Sequence, residues 1–465
     1  MNDITAIFAF LRYFLSYKEN MSRIIDGINW QHLYSFAFKQ ALLGLCFDGI
    51  ESLGKEYPEE LKKNPIERDL LMAWMGAAQQ IHRQNMKVNA VAGKLYSRLR
   101  EDGLRCCILK GQGNALMYPN AYSRNPGDID VWVNASREQI TEYAKKHFKL
   151  GDDIRCHHIE TSMDGVPVEL HFFPCTMNNP IYNARLQKWF KRNADLQCSN
   201  VVGLPDGAGD IAIPTSAFNV IYQLTHLYHH FFDEGIGMRQ IIDYFLVVND
   251  FSKNVFLDTD FSNHPVPLSK EGSTFSPSPS SSGSGDVTAP SRCSEPLRSK
   301  DGGPSKASPN CAVWDRRGVS GDTGSVSCSS ASGSSITSVS SASTTDSSAS
   351  TALDVVQREL KYLGLWKFAG AVMFVLHEVL GLSEDKMIVP VDEKRGKLLL
   401  AEILNGGNFG KHFTKYGHFT QQGMAKKYFL KIWRNMHFVR YYPAEALSEP
   451  IFRTWHFFWR MKNKK

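Results

Sequence analysis

The chain has no Cys-x-x-Cys pair, although nine cysteines are spread over its 465 residues. That absence excludes the common zinc-ligand spacings and argues against a disulfide framework. Cys106 and Cys107 are adjacent inside an apolar run and read as small buried hydrophobes, which fits a reducing compartment. No apolar stretch reaches the ~20 residues of a membrane-spanning helix. The start, Met1-Asn2-Asp3-Ile4 with an early Arg12, offers no small-residue cleavage site for a secretory signal, so the expectation is a cytoplasmic protein. No internal repeat is visible. Acidic residues are scarce after residue 410: residues 411–465 hold twelve Lys or Arg against two Glu, so this segment is +10 and the remainder of the +6 chain is −4. Such an end either solubilises an aromatic helix or makes weak contact with an anionic, phosphate-rich surface.

What is present is a hydrophobic fraction of 43%, ample for two or three cores. Residues 1–100 form a helical N-terminal region, with apolar positions at helical spacing at Leu33, Phe36, Ala37 and Ala41 and again from Val88 to Leu99. The period then changes. Residues 101–200 read as a small sheet domain. Leu104–Leu109 is a buried strand ended by Gly111 and Gly113, Asn114–Tyr118 a short helix, and Asp128–Val133 a strand after the turn Asn125-Pro126-Gly127. Ser136 with Gln139 predicts a capping box for a helix ending near His147. A hairpin follows, turning at Asp164-Gly165 before Val166–Phe172. Residues 201–264 and 353–465 form a helical C-terminal domain, with helices over Ser216–Phe232 and Gly237 to about Asn249. Between these parts, residues 265–352 are rich in Ser, Gly, Pro and Thr and read as a disordered insertion.

Chemistry concentrates in one stretch. The strand period puts Asp128 and Asp130 on one open face and Ile129, Val131 and Val133 on the other. Carboxylates crowded on one face repel each other unless a divalent cation sits between them. In the hairpin, Val166, Val168, Leu170 and Phe172 take the core side while Glu169 and His171 share the opposite face. This parity can deliver a third carboxylate to the aspartates. Phosphoryl transfer needs Mg²⁺, cations to absorb leaving-group charge, and a backbone able to approach phosphates. Lys110 and Arg124 would be those cations, and Gly111 and Gly113 would allow the approach.

These residues also carry a resemblance. Ile108-Leu109-Lys110-Gly111, Tyr118-Pro119, Arg124, Asp128-Ile129-Asp130-Val131 and Val168-Glu169-Leu170-His171 resemble the uncharacterised nucleotidyltransferase family. That family belongs to the DNA polymerase beta-like superfamily. The likeness runs from about residue 30 to 264 and resumes at 353, including Gly406-Gly407-Asn408-Phe409-Gly410. It implies an α+β fold with a small mixed sheet flanked by helices, and a two-metal Mg²⁺ site on Asp128, Asp130 and Glu169. Lys110-Gly111 stands where the superfamily carries Gly-Ser or Gly-Gly. The implied reaction transfers a nucleoside monophosphate from an NTP such as ATP to an acceptor that is a glycan precursor, protein, RNA or small molecule.

Alternatives stay open at this level. A degenerate member would bind nucleotide or a partner as a scaffold. A glycosyltransferase would also carry Asp-x-Asp, but after a long βα half that the helical first hundred residues do not supply. Arg239, with Asp243 one turn away, either faces the nucleotide or forms an i,i+4 ion pair. His226 either lies beside the nucleotide or acceptor or is an ordinary helix-face histidine, and His171 either orients a carboxylate or touches a phosphate. His157-His158 and His229-His230 lack a cysteine at zinc spacing and read as ordinary histidines. The aromatics from Tyr428 to Trp459 (Phe429, Trp433, Phe438, Trp455 and Phe458 among them) are expected to close the helical core.

Overall fold

Helical periodicity in the first hundred residues becomes α1 (Asp3–Ser16), α2 (Trp30–Gln40), α3 (Leu43–Glu56), α4 (Pro58–Lys63) and the 34-residue α5 (Arg68–Glu101), with short 3₁₀ turns between α1 and α2. In the computed structural model, residues 3–16, 19–150, 155–255, 342–413 and 424–463 are described. The sheet region follows as β1 (Cys106–Leu109), α6 (Gly111–Ala115), β2 (Ile129–Val133), α7 (Arg137–His147), β3 (His158–Met163) and β4 (Val166–His171). Then come α8 (Pro180–Gln197), β5 (Val201–Gly203), β6 (Asp210–Ala212), α9 (Ser216–Asp233) and α10 (Met238–Val255). The remaining helices are α11 (Ala342–Tyr362), α12 (Trp366–Leu380), α13 (Glu393–Gly406), α14 (Met424–Met436) and α15 (Pro443–Asn463).

The fold is mixed α+β, as the sequence implied, and the capping box is present: Ser136 accepts the Gln139 N–H and Gln139 reaches back to the Ser136 N–H. Several boundaries move, among them β1, which starts at Cys106 rather than Leu104, and α10, which runs on to Val255 rather than about Asn249. β2 starts at Ile129, leaving Asp128 just outside the ladder. The short helix starts at Gly111 rather than Asn114. Up to residue 341 the Ser-rich segment lies outside the described residues, and α11 begins at Ala342 rather than near Leu353. Its apolar stripe anchors the later turns, and an Ala/Ser/Thr run can extend a helix already nucleated. The α8 helix and the β5–β6 hairpin were not anticipated, although Asn179 followed by Pro180 is a helix-start signal. Asn179 accepts the N–H groups of Ile181 and Tyr182.

The four-stranded sheet has the order β1-β2-β4-β3. β1 runs antiparallel to β2, β2 parallel to β4, and β4 antiparallel to β3. Ile108, Ile129, Val131, Val133, Ile159, Val168 and Leu170 form one core with Val88, Ala92, Leu95 and Leu99 of α5 and Ile140 and Ala144 of α7. The opposite face carries Cys107, Leu109 and Trp132 into the larger helical core. Trp132 stacks on Phe218 of α9 at 5.9 Å and meets Phe190 of α8 edge-on at 6.0 Å. Both faces are therefore covered. The acidic face, expected to be open, is covered at Trp132 by α8 and α9, which bury its ring, while Asp128 at the edge stays exposed.

The basic C-terminal segment departs from expectation in another way. Phe438 is buried in the helical core, but Phe429, Trp433, Trp455 and Phe458 are exposed by 48–69%. Several of its cations serve as internal counter-charges instead. Lys431 and Arg453 each sit 2.9 Å from Asp233, and buried Arg434 lies 3.2 Å from Glu402.

Glu445 of α15 ties the helices to the sheet domain by accepting the Asn178 N–H at 2.5 Å and the Asn179 N–H at 3.2 Å. Burial pushes its carboxyl up to about 7, against the opposing pull of those hydrogen bonds. The unfolded value is about 4.3, so between the two the folded state holds the extra proton. Stability should therefore fall as pH rises from about 4.3 to about 7, then level off. Denaturation midpoints measured across that range should show this arm in the wild type and a shallower one in Glu445→Gln.

Candidate active site

Register builds the acidic centre. Asp130 pairs with Glu169 across the parallel β2–β4 ladder, so two carboxylates occupy neighbouring positions on the same face. Asp128, one residue before the strand, leans to the same point, and an oxygen from each of the three lies within 4.8 Å of the others. Asp128 is solvent-exposed, Glu169 half-buried and Asp130 buried. This all-oxygen donor set fits a hard divalent cation.

The surrounding charges are unequal in effect. Lys110 Nζ and His171 Nε2 both approach Asp130 Oδ1, at 3.1 and 3.0 Å, and His171 Nε2 is also 3.2 Å from Glu169 Oε2. Burial resists ionisation of Asp130, but Lys110 and His171 outweigh it and hold the carboxyl well below its ordinary range. Glu169 moves down similarly, against burial, through its His171 hydrogen bond. Asp128 moves the other way: the Asp130 charge, then crowding by protein atoms, pushes it up to about 6. Burial works against the charge on His171, yet its two carboxylate partners push it up to about 9. His171 Nε2 thus lies between Asp130 and Glu169, within 3.2 Å of both carboxylates.

Lys110 sits at the end of β1 with φ +52°, a strained value for a residue with a side chain, followed by Gly111 at +38°. This turn aims the Lys110 ammonium at Asp130, while the same nitrogen donates to His226 Nε2 on α9 at 2.8 Å. Burial, and then the Lys110 charge, push His226 well down, so it is a neutral acceptor. Gly113 is directed elsewhere: a Cβ there would meet Ile213 Cγ2 at 2.9 Å, so its small size serves packing.

A cavity beside the carboxylates is lined by Lys110, Gly111, Arg124, Asp128, Asp130, His226, Arg239, Asp243 and Phe409. Arg124 is already committed: its Nε and Nη2 form a buried fork on Asp243 at 2.9 and 2.8 Å, and Tyr118 adds its hydroxyl to the same carboxylate at 2.7 Å. Arg239 therefore does not own Asp243. One of its nitrogens donates to Asn125 O at 3.0 Å, and its buried Nε has no partner. Its guanidinium also faces the Phe409 ring at 5.4 Å. The Gly406–Gly410 block thus lies at this cavity, with Gly410 at φ +63° packed so closely on the Glu234 carbonyl that no Cβ would fit.

Several supports carry no obvious sequence signal. Asn85 of α5 donates to the carbonyls of Tyr122 and Arg124, both at 2.8 Å, fixing the loop before β2. Asn114 and Gln223 exchange reciprocal amide hydrogen bonds at 2.9 and 2.6 Å, pinning α6 to α9. Only partners distant in sequence reveal such residues.

A small mixed sheet thus brings three carboxylates together beside a cavity lined by Lys110 and Arg239. The chain belongs to the uncharacterised nucleotidyltransferase family, whose model matches residues 26–261. The family name suggests nucleotidyl transfer. No curated protein matches the chain. Among the described residues, no helix is long and apolar enough to cross a membrane.

Proposed function

We propose that the chain transfers a nucleoside monophosphate from an NTP to an acceptor in a Mg²⁺-dependent reaction that releases pyrophosphate. The observation that carries this reading is the convergence of Asp128, Asp130 and Glu169 beside a cavity lined by Lys110 and Arg239. The three carboxylates would hold the metal. When bound, Mg²⁺ would stabilise charge on the phosphoryl oxygens and favour the ionised attacking group. Arg239, with unused donor capacity in a buried setting, is the residue best suited to a triphosphate oxygen. Lys110 is the second cation on that side, and Gly111, which also lines the cavity, leaves the backbone open to a phosphate. Arg124 shapes the pocket through Asp243 rather than reaching for phosphate. His171 keeps Asp130 and Glu169 facing one another, and His226 holds the Lys110 ammonium in place.

The direct test incubates the purified chain with α-labelled NTPs, Mg²⁺ and a cell lysate. Pyrophosphate release with label carried into protein, RNA, glycan or a small molecule supports the proposal. No release with any of the four NTPs counts against it.

A scaffold reading also has a specific observation behind it. Lys110 and His171 already offset the Asp130 charge from within, a counter-charge that needs no metal. Calorimetric titration separates the two: nucleotide binding with no turnover in any lysate fraction would favour the scaffold. The glycosyltransferase alternative has no comparable support, since helices rather than βα units precede the motif.

A further inference from the structure

His158 and His171 face each other directly across the antiparallel β3–β4 pair, with Glu160 opposite Glu169 two positions along, the next pair on the same face. Partners in such a pair point to the same side, so two imidazoles and two carboxylates share one patch. Within it, His158 is 2% exposed, and neither of its ring nitrogens makes a hydrogen bond. His158 Nδ1 nevertheless lies 3.0 Å from Glu169 Oε2, out of line for a hydrogen bond, and His171 Nε2 lies 3.2 Å from the same oxygen. One donor atom from each of His158, Glu169 and His171 falls within 4.8 Å of the others.

A buried imidazole with two idle nitrogens is costly unless something occupies it. The spacing indicates what that is. Around a tetrahedral zinc ion with bonds of about 2.0–2.1 Å, neighbouring donors stand roughly 3.3 Å apart. The observed separations of 3.0 and 3.2 Å are close to that edge. Two imidazoles and a carboxylate also suit a borderline ion of the zinc type better than magnesium. Behind the ligands, Glu160 Oε1 lies 3.5 Å from His158 Nε2, where it can orient the ring as carboxylates do behind metal-bound histidines.

We infer that His158, Glu169 and His171 form a binding site for a zinc-type transition-metal ion, distinct from the oxygen-only position and sharing Glu169 with it. The sharing rests on the nucleotidyl-transfer reading; the site itself does not. Binding forms bonds from the metal to His158 Nδ1, His171 Nε2 and Glu169 Oε2; the proton on His171 Nε2 leaves to solvent, and that nitrogen gives up its hydrogen bond to Asp130.

The test uses the full chain stripped of metal and titrated with Zn²⁺ against a chromophoric chelator, with Co²⁺ as a spectroscopic substitute. One Zn²⁺ per chain, retained in excess Mg²⁺, is expected. His158→Gln should weaken it beyond the 10–100-fold typical of losing a partner behind a ligand, that is, by more than about a hundredfold. Asp128→Asn should leave Zn²⁺ affinity unchanged while removing NTP turnover, which keeps the two proposals separable. Unchanged Zn²⁺ affinity in His158→Gln, or its loss in Asp128→Asn, overturns the site. Should His158→Gln fail to fold by circular dichroism, the wild-type Co²⁺ spectrum decides. Intense visible bands of tetrahedral cobalt with imidazole ligation support the site, and a pale octahedral spectrum overturns it.

Discussion

Asp130→Ala is expected to lower Mg²⁺-dependent NTP turnover by at least about a thousandfold, because several kcal/mol of charge stabilisation leave with the metal position. Asp130 is the hub of the centre. It neighbours Glu169 in the ladder, takes Lys110 and His171 on one oxygen, and is buried where its charge is least screened. Alanine also strands two cations, so part of any loss would be structural. Asp130→Asn is the cleaner variant, since it keeps the volume and one oxygen that can still accept from Lys110 and His171 while removing the charge. Its turnover should fall comparably while its thermal midpoint stays nearer the wild type. Full turnover in Asp130→Asn would remove nucleotidyl transfer at this site from consideration.

Arg124→Met should be the most damaging single change to stability, at about 3–5 kcal/mol, the cost of breaking a buried ion pair from one side. The forked pair with Asp243 is 6% exposed on each side chain and receives the Tyr118 hydroxyl as well. Removing the guanidinium leaves the Asp243 carboxylate nearly uncompensated. The double variant Arg124→Met/Asp243→Leu should recover much of the loss, because two apolar groups replace two desolvated charges. Acid provides a second readout. Burial opposes ionisation of Asp243, but Arg124 wins and its pKa is lowered. The pair's contribution is then fully present above the unfolded carboxyl value of about 3.9 and is lost as pH falls below it. Urea titrations from pH 7 to 3 should show that acid arm in the wild type and not in the double variant. Equal stability of Arg124→Met and wild type would mean that the pair contributes nothing.

How far these residues were legible depends on how local their signals are. The Ser136–Gln139 cap, the β2 and β4 alternation and the α9 and α10 periods all lie within a few residues of chain, so sequence pattern reveals them. Alternation also told which side of its strand each carboxylate takes. It did not tell that Asp130 and Glu169 are ladder neighbours, since that register is a pairing between strands thirty-odd residues apart. The partners of the cations were equally hidden. Arg124 and Arg239 look interchangeable in sequence, yet one is consumed by Asp243 and the other keeps a buried donor unused. His158 looked ordinary because its counterpart stands across a hairpin, not at a fixed spacing along the chain.

By itself, then, the amino-acid order determined the α+β class and most of the strands and helices around the acidic residues, though not α8 or the β5–β6 hairpin, because backbone periodicity and turn chemistry are local. Only the tertiary structure decided that the acidic face is covered by α8 and α9, that Gly113 serves packing, and which cation keeps an unused buried donor. Those outcomes follow from burial and charge pairing between distant segments. A side chain's polarity specifies that it needs a partner, and the folded chain alone specifies which one it gets.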